Sequence, residues 1–302
     1  MTWSLASATG TARGKAILAG EHAVVHGVSA LGLALPLLVT AHARPRPGPV
    51  AIAARGAGFF AAVGDGSSGG LALEALLDAL GLPLEGAFAE VSSELPFGSG
   101  LGSSAALAAA VARACSTLAG REPGFDALFA GVQASEQIFH GNPSGLDALL
   151  ALRGGLVRFT REAGAEALSA APPPLVIAHS GTPGDTGVAV KRFAARLAGG
   201  DEGRRRLAAI AGLVEDAARC LIAGDLEGLG AAMDGNHGHL AWFQVSTPAL
   251  DELCRIARGA GALGAKLTGG GLGGCAVALV RPGAAERVAR AVSAAGFQVV
   301  LP

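Results

Sequence analysis

The order of apolar and polar residues predicts irregularly mixed strands and helices. In the first half, strands are predicted over 12–19, 37–43, 50–54 and 88–95, and helices over 71–80, 103–119 and 125–139. Later strands are predicted over 156–160, 175–179, 263–267, 275–280 and 298–301. Later helices are predicted over 186–197, 203–223, 225–233, 248–258 and 284–294. Because strands and helices do not alternate regularly, the pattern indicates an α+β fold rather than a doubly wound sheet.

Proline positions suggest where the chain turns and where it divides. Pro45, Pro47 and Pro49 predict a turn between the strands over 37–43 and 50–54. The segment 163–174 ends in three consecutive prolines and is the best candidate for a domain junction. A chain of 302 residues is long enough for two subdomains. We therefore predict an N-terminal domain over 1–168 and a C-terminal domain over 169–302.

Composition excludes several classes of protein. Hydrophobic residues make up 51% of the chain and charged residues 16%, which argues against a disordered or fibrous protein. The formal net charge of −1 argues against a nonspecific nucleic-acid binder, which needs a broad basic face. With 47 glycines and no tyrosine, the core must be aliphatic and alanine-rich, with closely packed backbones. Because the chain has no net positive charge, an anionic ligand would need a local binding site.

Neither the cysteines nor the apolar segments indicate export, a disulfide framework or a zinc site. No two of the four cysteines have metal-ligand or redox-motif spacing. Residues 23–43 carry no Asp, Glu, Lys or Arg, but glycine, proline and histidine interrupt the stretch, so buried strands fit better than a membrane span. The first residues do not have the pattern of a secretion signal. We expect a soluble, cytoplasmic protein that contacts neither membrane nor nucleic acid.

One glycine-rich loop has the features of an anion site. It runs from Pro96 to Ala106, with Gly98, Gly100 and Gly102 at alternate positions before a predicted helix. Glycine lets the backbone curl, and the unpaired N–H groups at a helix start attract anions. Ser103 and Ser104 add hydroxyls there, and one of them could ligate Mg²⁺. The simpler alternative is an N-cap after a flexible loop, and the segment is not a Walker A loop.

A second glycine-rich loop lies between two predicted strands, over 266–275. Gly269, Gly271 and Gly274 match G-x-G-x-x-G formally. A dinucleotide site requires a following helix, whereas a strand is predicted here. A glycine bridge that lets another segment approach closely fits better.

Two charged residues are candidates for chemistry. Lys15 interrupts a small, apolar strand, and Asp147 follows Pro143 and Gly145 and precedes an apolar run. Ordinary explanations are a solvated edge charge for the lysine and a helix cap for the aspartate. Together they could instead form a catalytic Asp–Lys pair. Their spacing in sequence does not show that they meet.

Four segments together carry a family resemblance. They are the opening Gly14–Gly27, the loop Pro96–Ala106, the run His140–Asp147 and the segment Lys266–Cys275. The chain resembles the GHMP small-molecule kinases, and among them most closely the mevalonate kinases. The helix around 236–240 is also similar to a segment of that group. Order and spacing are preserved over nearly the whole chain, so the four motifs are far more specific together than any one alone.

The resemblance implies a fold, a reaction and partners. The fold would be the two-domain GHMP kinase fold, with the active site in the cleft between domains. The reaction would transfer the γ-phosphate of ATP to the primary C5 hydroxyl of mevalonate, giving 5-phosphomevalonate and ADP, in isoprenoid biosynthesis. ATP and Mg²⁺ would be the cofactors, and a homodimer is suggested.

The resemblance also implies a role for individual residues. Asp147 would orient the substrate hydroxyl and accept its proton, and Lys15 would stabilise that oxygen and the transferring phosphoryl group. Ser104 and Glu136 would hold Mg²⁺. Substrate-binding residues would be Lys15, Glu21, His22, Asp147 and Thr268. The ATP phosphates would be bound by Pro96, Gly98, Ser99, Gly100, Leu101, Gly102, Ser103 and Ser104.

Two departures from the family pattern leave alternatives open. Ala148 stands where mevalonate kinases often carry Asn, and Gly184–Thr186 replaces a commonly basic stretch. One alternative is a GHMP kinase for another small alcohol, such as phosphomevalonate or homoserine. The other is a non-catalytic ligand sensor on the same fold. The sequence at 23–27 disfavours a galactokinase. The presence of all four expected site residues argues against an inactive protein on this fold; they are Lys15, Ser104, Glu136 and Asp147.

Overall fold

The computed structural model describes residues 3–54 and 58–301. The chain forms two compact units, and each is assembled from several stretches of sequence. The first unit comprises the chain up to Lys15, Ala34–Phe97 and Gly102–Gly154, and the second comprises Ala16–Leu33, Gly98–Leu101 and the chain from Gly155 onward. Strands β1 (Ala8–Ala19) and β2 (Ala30–Pro49) contribute residues to both units. The division at residue 168 stays a prediction.

In the first unit, strand pairing is mainly antiparallel. Its further strands are β3 (Ala51–Ala54), β4 (Phe59–Ala62) and β5 (Glu85–Ser93). The later part of β2 pairs antiparallel with β5, with Ala43 opposite Ala89. β3 pairs in parallel with β5 and antiparallel with β4. Burial alternates only in the later part of β5, where Ala89 and Val91 are buried and Glu90 and Ser92 are exposed, which is the period-two pattern of a strand with one covered face.

Four helices complete the first unit. They are α1 (Ser68–Ala79), α2 (Ser103–Leu118), α3 (Phe125–His140) and α4 (Leu146–Arg153). The alanine-rich α2 is buried along most of its length. At Gly10 of β1, an added Cβ would collide with the α2 backbone at Ala110 and Ala114. Small residues on both sides therefore allow the close backbone packing that the composition predicts.

The second unit contains a four-stranded antiparallel sheet. Its strands are β8 (Leu175–His179), β9 (Gly264–Leu267), β10 (Cys275–Leu279) and β11 (Gln298–Leu301), in the order β11-β8-β10-β9. Val277 of the buried strand β10 lies opposite Ile177 of β8 and Lys266 of β9. A separate antiparallel pairing joins the start of β2 to β6 (Leu156–Thr160), which also pairs with β7 (Gly164–Ala167).

The helices of the second unit follow the predicted order. They are a short 3₁₀ helix (Ala23–His26), α5 (Thr186–Ala198), α6 (Asp201–Ala223), α7 (Leu226–Trp242), α8 (Pro248–Gly259) and α9 (Ala285–Ala294). Asp185, Asp225 and Thr247 begin three of them, because each side chain accepts a backbone N–H in the first turn. The apolar stretch 23–43 forms the 3₁₀ helix and much of β2. None of the helices in 3–54 and 58–301 has the length and apolar character of a membrane span.

The predicted turn at Pro45, Pro47 and Pro49 is wrong. β2 continues through these prolines to residue 49, and its pairing with β5 shifts register between Pro45 and Pro49. The φ angle of proline is compatible with an extended strand, and proline lacks only the backbone N–H donor. A strand therefore accommodates proline at positions where that donor makes no hydrogen bond. The pattern also missed the short elements β4, β7 and α4, and it predicted too short a helix over 225–233, where α7 reaches Trp242.

The four cysteines are free. Cys115, Cys254 and Cys275 are buried, and burial raises the pKa of each thiol to about 12. A thiol with so high a pKa is a poor nucleophile at neutral pH. Within 3–54 and 58–301, no group of three or more His, Cys, Asp or Glu side chains is arranged to hold a metal.

Candidate active site

Lys15 and Asp147 form an ion pair in the first unit. Lys15 Nζ lies 3.2 Å from Asp147 Oδ1. The lysine is nearly buried, whereas the carboxylate is one-third exposed, with side-chain exposures of 4% and 33%. Strand β1 carries the lysine, and the first turn of α4 carries the aspartate. The arrangement therefore holds an ammonium group against a carboxylate that solvent can reach.

Gly102 explains how the lysine reaches this position. An added Cβ at Gly102 would lie 2.8 Å from Lys15 Cγ and 3.7 Å from Asp147 Oδ2. The residue also has a φ of +73°, in the left-handed region that favours glycine. Gly102 is the N-cap of α2, so the turn into the helix leaves room for the lysine side chain.

Glu136 lies near this pair and carries an unusual carboxyl group. Burial, followed by repulsion from Asp147, raises the pKa of Glu136 to about 7, although the Ser104 hydroxyl lowers it by hydrogen bonding and Lys15 also lowers it. Its Oε2 lies 3.6 Å from His140 Nε2. Its buried Oε1 has no hydrogen-bond partner in the part of the chain that the structure describes. A buried, incompletely paired carboxylate oxygen is suited to a cation.

His140 is the neighbour of Glu136 one helical turn further along α3. Burial lowers the pKa of His140, Asp147 raises it and Lys15 lowers it further. A lowered pKa favours the neutral imidazole at neutral pH. The ring therefore does not supply a full compensating charge to the Glu136 carboxyl.

The glycine-rich loop contributes residues to both units. At its end, Ser103 and Ser104 begin α2, whose first turn contains no acidic residue. The N–H groups of that turn have no partner within the helix, and the helix dipole is positive there. Pro96 and Gly98 precede this helix start, with Pro96 half-buried and Gly98 exposed.

In the second unit, residues 98–101 lie against the other glycine-rich loop. The Ser99 carbonyl accepts a hydrogen bond from Cys275 N at 2.8 Å. An added Cβ at Gly100 would lie 2.7 Å from the Thr268 carbonyl oxygen, and one at Gly269 would collide with the Gly100 backbone. Gly269–Gly274 therefore acts as the predicted glycine bridge that lets another segment approach. Leu101 is completely buried.

Thr268 and His22 occupy defined positions in the second unit. The Thr268 hydroxyl accepts Ile17 N–H at 2.8 Å and lies 3.3 Å from the Ile17 carbonyl. His22 has a φ of +60°, which is uncommon for a residue with a side chain. Its Nε2 lies 3.0 Å from the Gly270 carbonyl oxygen, and its ring stacks on Phe193 with a centroid distance of 5.4 Å.

Glu21 pairs with a residue to which the sequence assigns no role. Its carboxylate accepts a hydrogen bond from Lys266 Nζ, and its other oxygen accepts Asn236 Nδ2 at 3.0 Å. Glu21 and Lys266 are almost completely buried. The available signal was a lysine near the end of the apolar strand predicted over 263–267, since an ammonium group in a buried strand requires a partner.

The structure thus assembles the predicted site residues in two groups, one in each unit. Lys15, Asp147, Ser104 and Glu136 interact in the first unit. Glu21, His22 and Thr268 belong to one hydrogen-bonded region of the second, built on Ile17 and the 266–270 segment.

Two family descriptions match the chain. "GHMP kinases N terminal domain" matches residues 66–155, and "GHMP kinases C terminal" matches residues 217–298. The chain belongs to the GHMP kinases. It therefore has the GHMP kinase fold, and membership of a kinase family implies ATP as a substrate.

Relatives within the GHMP kinases are similar over nearly the full chain. Mevalonate kinase of Pyrococcus horikoshii is 32% identical over 312 residues, covering 95% of this chain and 92% of that one. Mevalonate kinase of Methanothermobacter thermautotrophicus is 34% identical over 298 residues, covering 94% and 93%. A crystal structure of L. major mevalonate kinase in complex with R-mevalonate is 27% identical with a TM-score of 0.84, covering 96% and 92%.

Proposed function

We propose that this GHMP kinase is an ATP-dependent mevalonate kinase. It transfers the γ-phosphate of ATP to the C5 hydroxyl of mevalonate and forms 5-phosphomevalonate and ADP, in isoprenoid biosynthesis. The observation that carries the proposal is the 3.2 Å contact between Lys15 and the partly exposed Asp147. The relatives above make mevalonate the favoured acceptor over phosphomevalonate or homoserine. An intact charged pair also disfavours a non-catalytic sensor.

Asp147 and Lys15 are proposed to act on the acceptor hydroxyl. Asp147 accepts the hydroxyl proton, the alcohol oxygen bonds to the γ-phosphorus, and the bond to the β,γ-bridging oxygen breaks to release ADP. Lys15, held against Asp147, stabilises the charge on the attacking oxygen and on the transferring phosphoryl group. Positioning and charge stabilisation account for most of the catalysis of phosphoryl transfer. Both roles suit a nearly buried ammonium group beside a carboxylate that solvent reaches.

The loop from Pro96 to Ser104 is proposed to bind the ATP phosphates. N–H groups at the start of α2 and the positive end of its dipole attract an anion, and the Lys15 side chain lies against Gly102 at the same helix start. Gly98, Gly100 and Gly102 all have positive φ values, so the backbone curls as a phosphate-binding loop requires. Ser99 and Leu101 lie between these glycines, and Ser103 follows the last of them.

Ser104 and Glu136 are proposed to hold Mg²⁺. The residues present fit a hard divalent cation, because Glu136 Oε1 is buried without a hydrogen-bond partner among the described residues and the Ser104 hydroxyl is adjacent. When held by Ser104 and Glu136, Mg²⁺ would supply positive charge that offsets the negative charge of the ATP phosphates. Glu136 must be ionised to bind the ion, and because its pKa is raised to about 7, binding of a cation would shift the carboxyl further toward its ionised form.

Glu21, His22 and Thr268 are proposed to bind or position the acceptor. The support is the hydrogen-bonded region that ties these second-unit residues to Ile17 and Gly270. A cytoplasmic location and a homodimer stay predictions, and light scattering of the purified protein can test the second.

A coupled ADP-release assay over a panel of acceptors tests the proposed function. The panel contains mevalonate, phosphomevalonate, homoserine and galactose at equal concentrations, with the Asp147→Asn variant as the control for contaminating kinases. We expect ADP release with mevalonate alone and its loss in the variant. Preference for another alcohol would retain the kinase and reject the acceptor. ATP binding without turnover of any acceptor would favour the ligand sensor.

A further inference from the structure

Lys266 is buried deep in the second unit, where its charge is matched by specific partners. Its side chain has 0% exposure. The ammonium group donates to the Glu21 carboxylate, to the Leu267 carbonyl at 2.6 Å and to the Ile17 carbonyl at 3.2 Å. An ammonium group removed from water is tolerated only when an opposite charge and further acceptors compensate it. The lysine therefore ties strand β9 to the segment 17–21.

The Glu21 carboxylate is occupied on both of its oxygens. One accepts from Lys266, and the other accepts from Asn236 of α7. The side chain is only 1% exposed. A carboxylate enclosed in this way is not available as a direct ligand of an acceptor. Its effect on a bound substrate must pass through the residues next to it.

The adjacent residue, His22, has a backbone conformation that needs support. Its φ of +60° is in the left-handed region, which a side chain makes costly. The turn is closed by a hydrogen bond from Ala23 N to the Glu21 carbonyl at 2.6 Å. The imidazole lies between the Gly270 carbonyl and the Phe193 ring. Strained residues of this kind persist where surrounding contacts fix them, and they are frequent at binding sites.

We infer that Lys266 is a positioning residue that acts through Glu21 to hold the strained turn on which His22 faces the acceptor. The inference rests on the proposed function, because that function places His22 at the acceptor site. The inference extends the proposed function, because it assigns Glu21 a positioning role rather than direct contact with the substrate. The specificity for the acceptor then depends on an ion pair that the acceptor does not touch.

A second ion pair that contacts strand β9 provides a matched control. Arg258 Nη1 contacts Asp234 Oδ1 at 2.7 Å and the Ala265 carbonyl at 2.9 Å, and Asp234 also accepts Ala265 N–H. This pair anchors β9 one residue before Lys266, and its contacts are with the strand rather than with the His22 turn. Loss of this pair perturbs β9 without removing the support of His22.

The test compares two double variants, each of which replaces both members of an ion pair with neutral residues. They are Glu21→Gln/Lys266→Met and, as the control, Asp234→Asn/Arg258→Met. Replacing both partners avoids leaving a lone buried charge, so the first variant is expected to fold. We expect its KM for mevalonate to rise by up to about 100-fold, with the KM for ATP almost unchanged. The control pair should lose stability but keep both KM values. In the free protein, the ¹⁵N imidazole resonance of His22, assigned with His22→Gln, should move only in the first variant.

Three results would overturn the inference. The first is an unchanged KM for mevalonate and an unmoved His22 resonance in the Glu21/Lys266 variant. The second is an equal rise of the KM values for mevalonate and ATP in that variant. The third is an equal rise of the KM for mevalonate in the Asp234/Arg258 control variant. If the Glu21→Gln/Lys266→Met variant does not fold, Glu21→Gln/Lys266→Gln, which is also neutral at both positions and keeps polar side chains there, is judged by the same criteria. If the parent enzyme does not phosphorylate mevalonate, the proposed function fails, and the His22 resonance in the free protein still decides whether Lys266 and Glu21 position that residue.

Discussion

Lys15 Nζ lies 3.2 Å from Asp147 Oδ1, although one residue is in the first strand and the other is in the fourth helix. The pair combines a nearly buried cation with a carboxylate that solvent reaches. Such a geometry can receive a hydroxyl group at the carboxylate and place positive charge beside the same oxygen. The most direct predictions concern these two residues and the groups around them.

Removing either member of the pair should slow the chemical step. Asp147→Asn loses a proton acceptor and should lower kcat by about 10²–10⁴-fold. Lys15→Met should also lower kcat, because it removes stabilisation of the developing charge. The double variant should lose less than the product of the two factors if the residues act as one unit. Steady-state kinetics with mevalonate and ATP measure this, with circular dichroism to verify folding.

A matched control for Asp147 is available on another helix. Asp126 is an exposed aspartate in the first turn of α3, as Asp147 is in the first turn of α4. Asp126→Asn should leave kcat unchanged. Normal turnover by well-folded Asp147→Asn or Lys15→Met would remove the proposed catalytic pair.

Gly102→Ala should displace the Lys15 side chain without removing a charged group. The new Cβ would lie 2.8 Å from Lys15 Cγ, and the φ of +73° is unfavourable for alanine. We expect a lower kcat and a loss of about 1–2 kcal/mol in the free energy of unfolding. Denaturant titration and kinetics on the same preparation measure both effects.

Gly212→Ala is the corresponding control for Gly102→Ala. Gly212 lies inside α6, and nothing is within 4 Å of the position of its added Cβ. Alanine should stabilise the helix there by about 1 kcal/mol and leave kcat unchanged. A Gly102→Ala variant with wild-type kcat would show that the close contact with Lys15 has no catalytic consequence.

His237 should make stability depend on pH. Burial lowers the pKa of His237 below 6.5, with Lys266 and Arg258 also lowering it and Asp251 opposing them. Its Nδ1 accepts Leu267 N–H at 3.2 Å, so protonation there would remove an acceptor. Because the unfolded chain takes up the proton more readily, the stability contribution is complete above about pH 6.5 and is lost as the pH falls through the lowered pKa.

The His237→Gln variant isolates this titration. Glutamine is able to accept from Leu267 and donate to Asp251 without changing its charge. The free energy of unfolding of the wild type, relative to the variant, should therefore decrease between pH 7 and pH 5. Urea titrations at both pH values measure the difference. A difference that does not change with pH would show that His237 does not titrate in this range.

Glu136→Gln tests the metal assignment. The amide keeps the shape of the side chain but removes the charge that a divalent cation prefers. At fixed ATP, the Mg²⁺ concentration needed for half-maximal rate should rise steeply. Glu122→Gln, at an exposed position, is the control and should behave as wild type. A Mg²⁺ dependence that is the same in all three proteins would reject Glu136 as a ligand.

Sequence patterns predicted the features that are local along the chain. The glycine loops, the long helices and the strands over 156–160 and 175–179 were predicted because backbone freedom and apolar spacing are local properties. Pro45–Pro49 was misread because proline is both a turn residue and a residue that an extended strand accepts. The short helix α4 was missed because eight residues give too little periodicity.

The sequence by itself determined which chemically active residues are present and the order of the four motifs. Together these indicate a GHMP kinase. Only the tertiary structure decided which groups meet. It pairs Lys15 with Asp147, encloses Glu21 between Lys266 and Asn236, and places Gly102 against the lysine side chain. Contacts between residues distant in sequence depend on how strands and helices pack, and burial then sets the charge and availability of each group. Neither property is encoded in the spacing of residues along the chain.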